Sequence, residues 1–246
     1  MSPLQVSGLP EPFAILTDRL VLLPTPIAVF SATYRKLYAR LHADAGFCRM
    51  GFGSDFPLKN WSDSETHSFI ETRDIERNWK KYSLGDLAVG LRGSSQSDDK
   101  NARDKDAKQI KPQFSVLRGS DLERLTGLNM ELLDTIHWVG YAGIRDATTT
   151  SMPAREAEDP ALPPWQEMVE LRYGVSPECW GTGIAKEAAE AVMGWAADER
   201  GVKRFIAETE KDNERSGKVL QKLGFSLSET DYWKDPGEFE WELVVR

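Results

Sequence analysis

Cysteine and histidine are scarce in this sequence. Its 246 residues include two cysteines, Cys48 and Cys179, and three histidines, His42, His67 and His137. Two cysteines are too few for a disulfide scaffold, and neither they nor the scattered histidines have the spacing of a metal site. We therefore expect a reducing compartment, a cytoplasmic location and no metal.

An excess of positive charge and a long apolar run are also missing. The chain has 31 lysines and arginines against 39 aspartates and glutamates, a formal net charge of -8 at pH 7. This balance argues against a nucleic-acid partner, because binding to phosphates starts from a basic surface. No apolar segment is long enough to span a bilayer, and the residues after Met1 lack the pattern of a secretion signal. We expect neither a nucleic acid nor a membrane as a partner.

The sequence does contain enough apolar material for one large domain. Hydrophobic residues make up 40% of the 246 residues, which suits a single core with insertions. We place this domain at residues 14–246, after an irregular, proline-interrupted segment at 1–13. Polar insertions are expected at 93–111, as a mobile loop, and at 146–166. Long loops of this kind are either lids over a site or tolerated additions.

A strand, a glycine-containing loop and a helix follow one another in the second half of the chain. Residues 169–175 alternate apolar and polar as a half-buried strand does, and a helical period begins at Ile184. Between them, residues 180–183 read Trp-Gly-Thr-Gly. Such a loop turns unpaired backbone N–H groups and the positive end of a helix dipole towards one point, which makes an anion site. The alternative is a tight turn that binds nothing.

A second strand and helix follow this unit. Residues 203–210 form a strand-like run, and Asn213 is placed to cap a helix that continues to Leu223. Gly224 then ends the helix, with Phe225 as its hydrophobic partner. The chain thus repeats a strand followed by a helix after the anion loop.

Three segments of this half resemble a known family. They are residues 177–188 (Pro-Glu-Cys-Trp-Gly-Thr-Gly-Ile-Ala-Lys-Glu-Ala), 213–216 (Asn-Glu-Arg-Ser) and 222–225 (Lys-Leu-Gly-Phe). In this order they resemble the GNAT superfamily of acyl-CoA-dependent N-acyltransferases, especially the branch of ribosomal-protein N-terminal acetyltransferases and related small-amine acetyltransferases. The resemblance implies an α/β (α+β) fold. In that fold a mixed, mainly antiparallel central sheet is flanked by helices, and a splayed central strand pair holds acyl-CoA.

The resemblance also implies the residues that bind acetyl-CoA, the acyl donor. The pyrophosphate is expected on the loop residues Trp180, Gly181, Thr182, Gly183, Ile184 and Ala185. The pantetheine is expected beside Tyr173 to Val175, where Gly174 is consistent with a bulge, and Asn213 and Ser216 match a second contacting pair. Asn213 has an alternative role, because it would cap its helix with or without a ligand.

Two glutamates are candidates for the base that deprotonates the acceptor amine. Glu208 stands five residues before Asn213, where some relatives carry a glutamate, and Glu170 on the central strand is its rival. Where many members of the family have a tyrosine that acts as the acid, this chain has Leu220, so Ser216 or Tyr232 is considered as a substitute. No histidine motif accompanies Cys179, which favours direct transfer without an acyl-enzyme.

The function that follows is acetyl transfer from acetyl-CoA to a primary amine, either a peptide N-terminus or a small-molecule amine. The alternative is a non-catalytic acyl-CoA-binding or regulatory module on the same fold, because a fold does not entail activity. The sequence is compatible with a monomer or a homodimer.

The remaining elements are predicted from periodicity alone. We expect a first strand at 19–23, helices at 27–41 and 64–80, strands at 84–91, 114–117 and 136–144, and two closing strands at 225–232 and 238–245. Residues 48–61, with two glycines, a proline and several aromatic residues, are predicted to be a packed loop that either forms a wall of the acceptor pocket or serves packing alone.

Overall fold

One nine-stranded sheet organises the computed structural model, which describes residues 9–53, 55–93, 114–149 and 152–245. The strands are β1 (Ala14–Leu16), β2 (Leu20–Pro24), β3 (Asp86–Leu91), β4 (Ser115–Leu117), β5 (His137–Asp146), β6 (Val169–Val175), β7 (Arg204–Glu210), β8 (Ser226–Leu227) and β9 (Glu238–Val244). Their order across the sheet is β4-β1-β2-β3-β5-β6-β7-β9-β8.

Two central strands, β6 and β7, separate along their length. They are parallel and pair only at Val169↔Phe205 and Glu170↔Ile206, whereas the other neighbouring strands are antiparallel. Beyond this point β6 continues its ladder with β5 up to Val175, and β7 continues its ladder with β9 up to Glu210. The C-terminal halves of β6 and β7 therefore diverge, which confirms the predicted fold class.

Helices surround this sheet. They are α1 (Thr25–Ala28), α2 (Ala32–Ala43), α3 (Ala45–Phe52), α4 (Asp63–Ile70), α5 (Lys80–Tyr82), α6 (Gly119–Thr126), α7 (Ile184–Arg200) and α8 (Glu214–Leu223), with a π-helix at Glu71–Trp79 between α4 and α5. Helix α7 packs on β5 and β6, and α2 packs on β5. None of the described helices is long and apolar enough to cross a membrane.

The core is continuous from the first strand to the last helix. In it Phe13 stacks on Trp195 with 4.8 Å between ring centroids and meets the edge of Trp79 at 6.1 Å. All three side chains are buried. Burying rings of this size contributes most of the apolar area that holds such a domain together.

Both predicted N-terminal helices are interrupted. The first breaks between α1 and α2, where the Ser31 side chain caps α2 by accepting from the Tyr34 N–H. The second begins at a capping box of Ser62 and Glu65, then widens to the π-helix. In that π-helix the Trp79 indole donates to Asp74, five residues earlier, at 3.1 Å.

Several other predictions are corrected. The segment 48–61 is not all loop, because α3 extends to Phe52 with Asp44 as its cap. Only Ser226–Leu227 of the first closing strand forms a strand. The ladder between β5 and β6 runs unbroken through Gly174, so this ladder does not contain the expected bulge. A register shift occurs instead between β3 and β5, at Val89/Gly90. Strand β1 was not predicted, because it is too short to show alternation.

The structure describes only one of the two predicted insertions in any detail. Apart from Gly93, the tract at 93–111 lies outside the described residues. In the described part of the second, 3-10 turns occur at Ala147–Thr149 and Trp165–Glu167. Met152 and Leu162 pack against a small cluster that contains Trp233, so this connection closes over part of the sheet.

Candidate active site

A cleft of about 930 Å³ opens where β6 and β7 diverge. It collects residues from α2, α3, the π-helix, β5, β6, β7, α8 and the loop before α7. Of the predicted catalytic and cofactor-binding residues, the ones that line it are Glu170, Tyr173, Val175, Trp180, Gly181, Gly183, Ile184, Ala185, Glu208, Asn213 and Ser216. Thr182 does not line it. The structure thus brings the predicted set together with that one exception.

The loop before α7 has the shape of an anion cradle. Gly183 precedes the helix at φ 82°, a left-handed conformation that favours glycine, and no described side chain caps this helix end. The first N–H groups of a helix have no partner within it, so they remain available to a ligand. The Trp180 indole donates to the Val175 carbonyl at 2.7 Å, and the Thr182 hydroxyl donates to the Cys179 carbonyl at 2.6 Å. These two side chains hold the loop's shape.

An arginine from the start of the chain anchors the same loop. Arg19 donates to the Thr182 carbonyl at 3.0 Å and forms a salt bridge with Glu187 at 2.6 Å. The Thr17 hydroxyl also donates to Glu187, at 2.5 Å. Sequence reasoning did not assign these roles, since nothing local in residues 17–19 points to a loop more than 160 positions away. Arg19 also offsets the negative charge of Glu187, the only acidic residue in the first turn of α7.

The end of the cleft beside this loop is cationic. Lys186, Arg215, Lys218 and Lys222 line it, and the Arg215 guanidinium lies over the Trp180 ring at 5.1 Å. Lys186 pairs with Glu190 and Lys218 with Glu214, and neither glutamate lines the cleft. Together with the helix N-terminus, the basic side chains form a site for a multiply charged anion.

Asn213 has two hydrogen bonds within the protein. Its side-chain oxygen accepts from the Ser216 N–H at 3.0 Å, so the predicted helix cap is present. Its amide nitrogen donates to the Met50 carbonyl at 2.5 Å, which ties α3 to the start of α8. Asn213 thus positions one wall of the cleft as well as a helix.

A tyrosine and a serine meet across the cleft. The Tyr173 hydroxyl lies 2.7 Å from the Ser216 Oγ, and burial raises the pKa of Tyr173 to about 12. Leu220, at the position where many relatives have a tyrosine, is buried and lines the same region. Tyr232, the other substitute considered, does not line the cleft, and its hydroxyl accepts from Arg204 at 3.4 Å.

Carboxylates gather at the opposite end, on the diverging strands. Glu170 is buried and forms a two-pronged ion pair with Arg145 at 2.7 and 3.0 Å. Burial, followed by the nearby charges of Glu170 and Glu238, raises the pKa of Glu208 to about 9. Burial also raises the pKa of Glu238. The base candidate Glu208 therefore holds a proton near neutral pH when no cation is beside it.

A second ionic group lies deeper, beneath the π-helix. Arg172 pairs with Asp86 at 3.5 Å and lies over the Tyr141 ring at 5.0 Å. Asp74 accepts from the Asp86 N–H and from the Thr25 hydroxyl. Burial and the charge of Asp86 raise the pKa of Asp74 to about 7. These groups form the floor of the cleft.

Aromatic side chains, most of them from the N-terminal elements, also line the cleft. We call this set the aromatic wall: Tyr38, His42, Phe47, Phe52, Phe56, Phe69 and Tyr141. Phe52 and Phe56 lie 4.4 Å apart, and the His42 ring stacks on Phe52 at 5.6 Å. Burial lowers the pKa of His42 to about 4, so its ring is neutral at physiological pH.

Comparison with known proteins is consistent with this geometry. Residues 31–226 match the sequence profile of the acetyltransferase (GNAT) domain. The chain belongs to the GNAT acetyltransferase family. A curated relative, the uncharacterized N-acetyltransferase YjdG of Bacillus subtilis, is 36% identical over 61 residues. That match covers 25% of this chain and 36% of YjdG, so the chain spans about a third of the length of this relative.

Solved GNAT structures share the fold. An acetyltransferase from Agrobacterium tumefaciens superposes with a TM-score of 0.58 at 16% identity, over 94% of both chains. RimL, a ribosomal L7/L12 alpha-N-protein acetyltransferase in complex with coenzyme A, superposes with a TM-score of 0.53 at 12% identity, over 93% of this chain and 96% of RimL. The structural neighbours therefore include the ribosomal-protein branch to which the sequence is similar.

Proposed function

We propose that this GNAT protein transfers the acetyl group of acetyl-CoA to a primary amine. The observation that carries the proposal is the charge separation along one cleft. A cationic end with free helix N–H groups suits the phosphates of the donor, and carboxylates at the other end suit an ammonium group. The gap between β6 and β7 joins the two ends, which suits an extended thioester arm.

Acetyl-CoA fits the residues at the cationic end. The pyrophosphate would accept hydrogen bonds from the N–H groups of residues 181–185, and Lys186 and Arg215 would neutralise its charge. Gly183 leaves the helix end uncovered. The donor supplies an activated thioester, and the protein positions it where the amine can attack directly.

Glu208 is proposed as the base. Burial, together with repulsion from Glu170 and Glu238, keeps Glu208 protonated, and the positive charge of an amine that enters as an ammonium ion offsets these effects. Glu208 then gives up its proton to solvent and accepts one from the ammonium. A deprotonated carboxylate that can reach the ammonium acts as its general base.

Ser216 is proposed to return a proton to the leaving thiolate. Its Oγ is 2.7 Å from the Tyr173 hydroxyl, so Tyr173 can replace the proton that Ser216 donates. This pair occupies the region of Leu220 and would perform the role of the missing tyrosine. A Tyr173→Phe variant should lose turnover several-fold and keep its affinity for CoA, as measured by steady-state kinetics and calorimetry.

Cys179 is not assigned a covalent role. It lines the cleft, but burial and the charge of Glu178 raise the pKa of its thiol. A protonated thiol is a poor nucleophile. Direct attack by the amine therefore accounts for the reaction without an acyl-enzyme, and residues 14–246 are proposed to act as one acetyltransferase domain.

Thermal melting and thiol release test the proposal. Acetyl-CoA at about a hundred times its dissociation constant should stabilise the fold by about 2.7 kcal/mol. A panel of primary amines should then release free CoA thiol, with one acetylated amine formed for each thiol. Stabilisation without any thiol release would favour the non-catalytic alternative, and a melt that acetyl-CoA leaves unmoved would refute donor binding.

A further inference from the structure

The acceptor half of the cleft carries two features with opposite preferences, carboxylates and the aromatic wall. We infer that the acceptor is an amine with a single ammonium group joined to an aromatic or similarly flat apolar group. This inference rests on the proposed acetyl transfer and names the class of amine. A small arylalkylamine and a peptide that begins with an aromatic residue share this chemistry.

The aromatic wall is accessible from the cleft. Phe52, Phe56 and Phe69 are only partly buried, and all three line the cleft. Behind them His42 is buried, neutral at physiological pH and in ring contact with Phe52. A flat apolar group placed against Phe52, Phe56 and Phe69 would bury its own surface on rings that carry no polar group.

The wall and the carboxylates are held close to each other. A Cβ at Gly53, the residue after Phe52, would collide with the carboxylate of Glu210. The Asn213 amide binds the Met50 carbonyl at 2.5 Å, which fixes the same helix against the start of α8. Glu208 and Glu210 are two residues apart on β7 and so lie on the same face of that strand, which places Glu208 and the wall around one part of the cleft.

The charge balance of this half favours one positive charge. Six acidic side chains line it, and the arginines there are Arg73, Arg145 and Arg172. Arg145 is paired with Glu170 and Arg172 with Asp86, and Glu210 and Glu238 are the further carboxylates on the strands beside Glu208. An ammonium group placed at Glu208 is attracted by these two carboxylates.

A second positive charge would be opposed at the wall. The Lys59 ammonium lies over the Phe56 ring at 6.0 Å, and the Arg73 guanidinium lies over the Phe69 ring at 5.8 Å. Each cation lies over one face of its ring, and its positive charge would repel another cation brought to the wall. A polyamine that extends from Glu208 towards the wall would therefore be disfavoured, whereas an uncharged ring would not.

Competition among amines tests the inference, with the alkylamines compared with one another and the peptides with one another, because peptide α-amino groups are less basic. The panel contains 2-phenylethylamine, n-butylamine, spermidine, a short peptide that begins with Phe and a matched peptide that begins with Ser. We expect kcat/KM for phenylethylamine to exceed that for butylamine by roughly tenfold or more, with spermidine below both. The two peptides decide whether the aromatic group comes from a small amine or from an N-terminus.

Variants of the wall supply a second measurement. Phe56→Ala and the milder Phe52→Leu should each reduce the ratio of kcat/KM between phenylethylamine and butylamine. Leu58→Ala is the matched control, because Leu58 is 49% exposed and does not line the cleft. Lys59→Gln should raise the relative activity with spermidine, because it removes a repelling charge.

The outcomes separate this inference from the proposed function. A preference for spermidine or butylamine, or a ratio that Phe56→Ala and Phe52→Leu both leave unchanged, would overturn the inference while acetyl transfer stands. Absence of thiol release with every amine would overturn acetyl transfer and the inference with it. A phenylethylamine preference that the wall variants reduce and Leu58→Ala preserves supports both.

Discussion

The two ends of the cleft are built in different ways. The cofactor end is largely local: a strand, a loop and a helix that are consecutive in the chain supply the N–H groups, and α8 adds cations. The acceptor end is assembled from α2, α3, the π-helix and strands β5, β6, β7 and β9. A local site needs only a backbone shape, whereas an assembled site depends on how distant elements pack. Changes at the two ends should therefore affect different kinetic constants.

The largest effect is expected at the acceptor end, for Glu208→Gln. Loss of the base should lower turnover by about a hundredfold to ten-thousandfold near neutral pH and leave the affinity for acetyl-CoA nearly unchanged. Part of the rate should return at higher pH, as the amine loses its proton unaided. Steady-state kinetics against pH measure this, with the exposed Glu229→Gln as the control.

Glu170→Gln decides between the two glutamates. If turnover survives in Glu208→Gln and collapses in Glu170→Gln, the base lies on β6 instead. If neither variant affects turnover, water or the amine's own equilibrium removes the proton, and the hypothesis of a glutamate base is wrong.

The next largest effect is expected at the cofactor end, where Gly183→Val should weaken the binding of acetyl-CoA. A β-branched residue is strained at φ 82°, and its side chain would shield the helix N–H groups from the phosphates. The KM for acetyl-CoA should rise roughly tenfold or more, because a lost charge-assisted hydrogen bond weakens binding by about 1.5–3 kcal/mol. Gly201→Val is the matched control, because Gly201 also has a positive φ, at 65°, but lies at the other end of α7. Equal loss of acetyl-CoA affinity in both variants would show that strain alone is responsible.

The stability of the free protein should depend on pH through the acceptor end. The pKa of Glu208 is about 9 in the folded protein against an ordinary value of 4.5. Its contribution to stability is therefore fully present below about pH 4.5 and is lost as the pH rises through about 9. The free energy of unfolding should fall over this window by up to about 1.4 kcal/mol per pH unit.

Urea denaturation at several pH values measures this slope. Glu208→Gln should flatten it, because glutamine does not titrate. A wild-type slope that is unchanged in the variant would show that other groups cause it.

The smallest effect is expected for Arg215→Ala at the cofactor end. The guanidinium lies over Trp180 at the edge of the cleft, and an exposed contact of this kind contributes about 0.5–1 kcal/mol. The KM for acetyl-CoA should rise about two- to fivefold and depend less steeply on salt. Arg124→Ala, on the distant helix α6, should change neither. If Arg215→Ala changed the KM for the amine and left the KM for acetyl-CoA unchanged, the assignment of the two ends of the cleft to donor and acceptor would be wrong.

The comparison of ends also explains which elements could be predicted. The strand, loop and helix around Gly183 and the cap at Asn213 were predicted closely, because each is specified by glycine position, a capping side chain and strong periodicity. The interruption at Ser31, the π-helix and the short β1 were missed, and β8 is shorter than the strand predicted at 225–232. At the π-helix, for example, Asp74 accepts from the Thr25 hydroxyl and the Asp86 N–H, contacts that the local pattern does not encode.

The sequence by itself determined the family, the sheet with its splayed strands and the chemistry of the cofactor loop, because these depend on backbone conformation and on residues that are neighbours in the chain. The tertiary structure alone decided that Arg19 anchors that loop, that Tyr173 meets Ser216, and that Glu208 lies beside Glu170 and Glu238. Burial, charge repulsion and ring contacts act through space. A pKa near 9 for Glu208 and an aromatic wall in the same cleft therefore exist only once the strands and helices have packed.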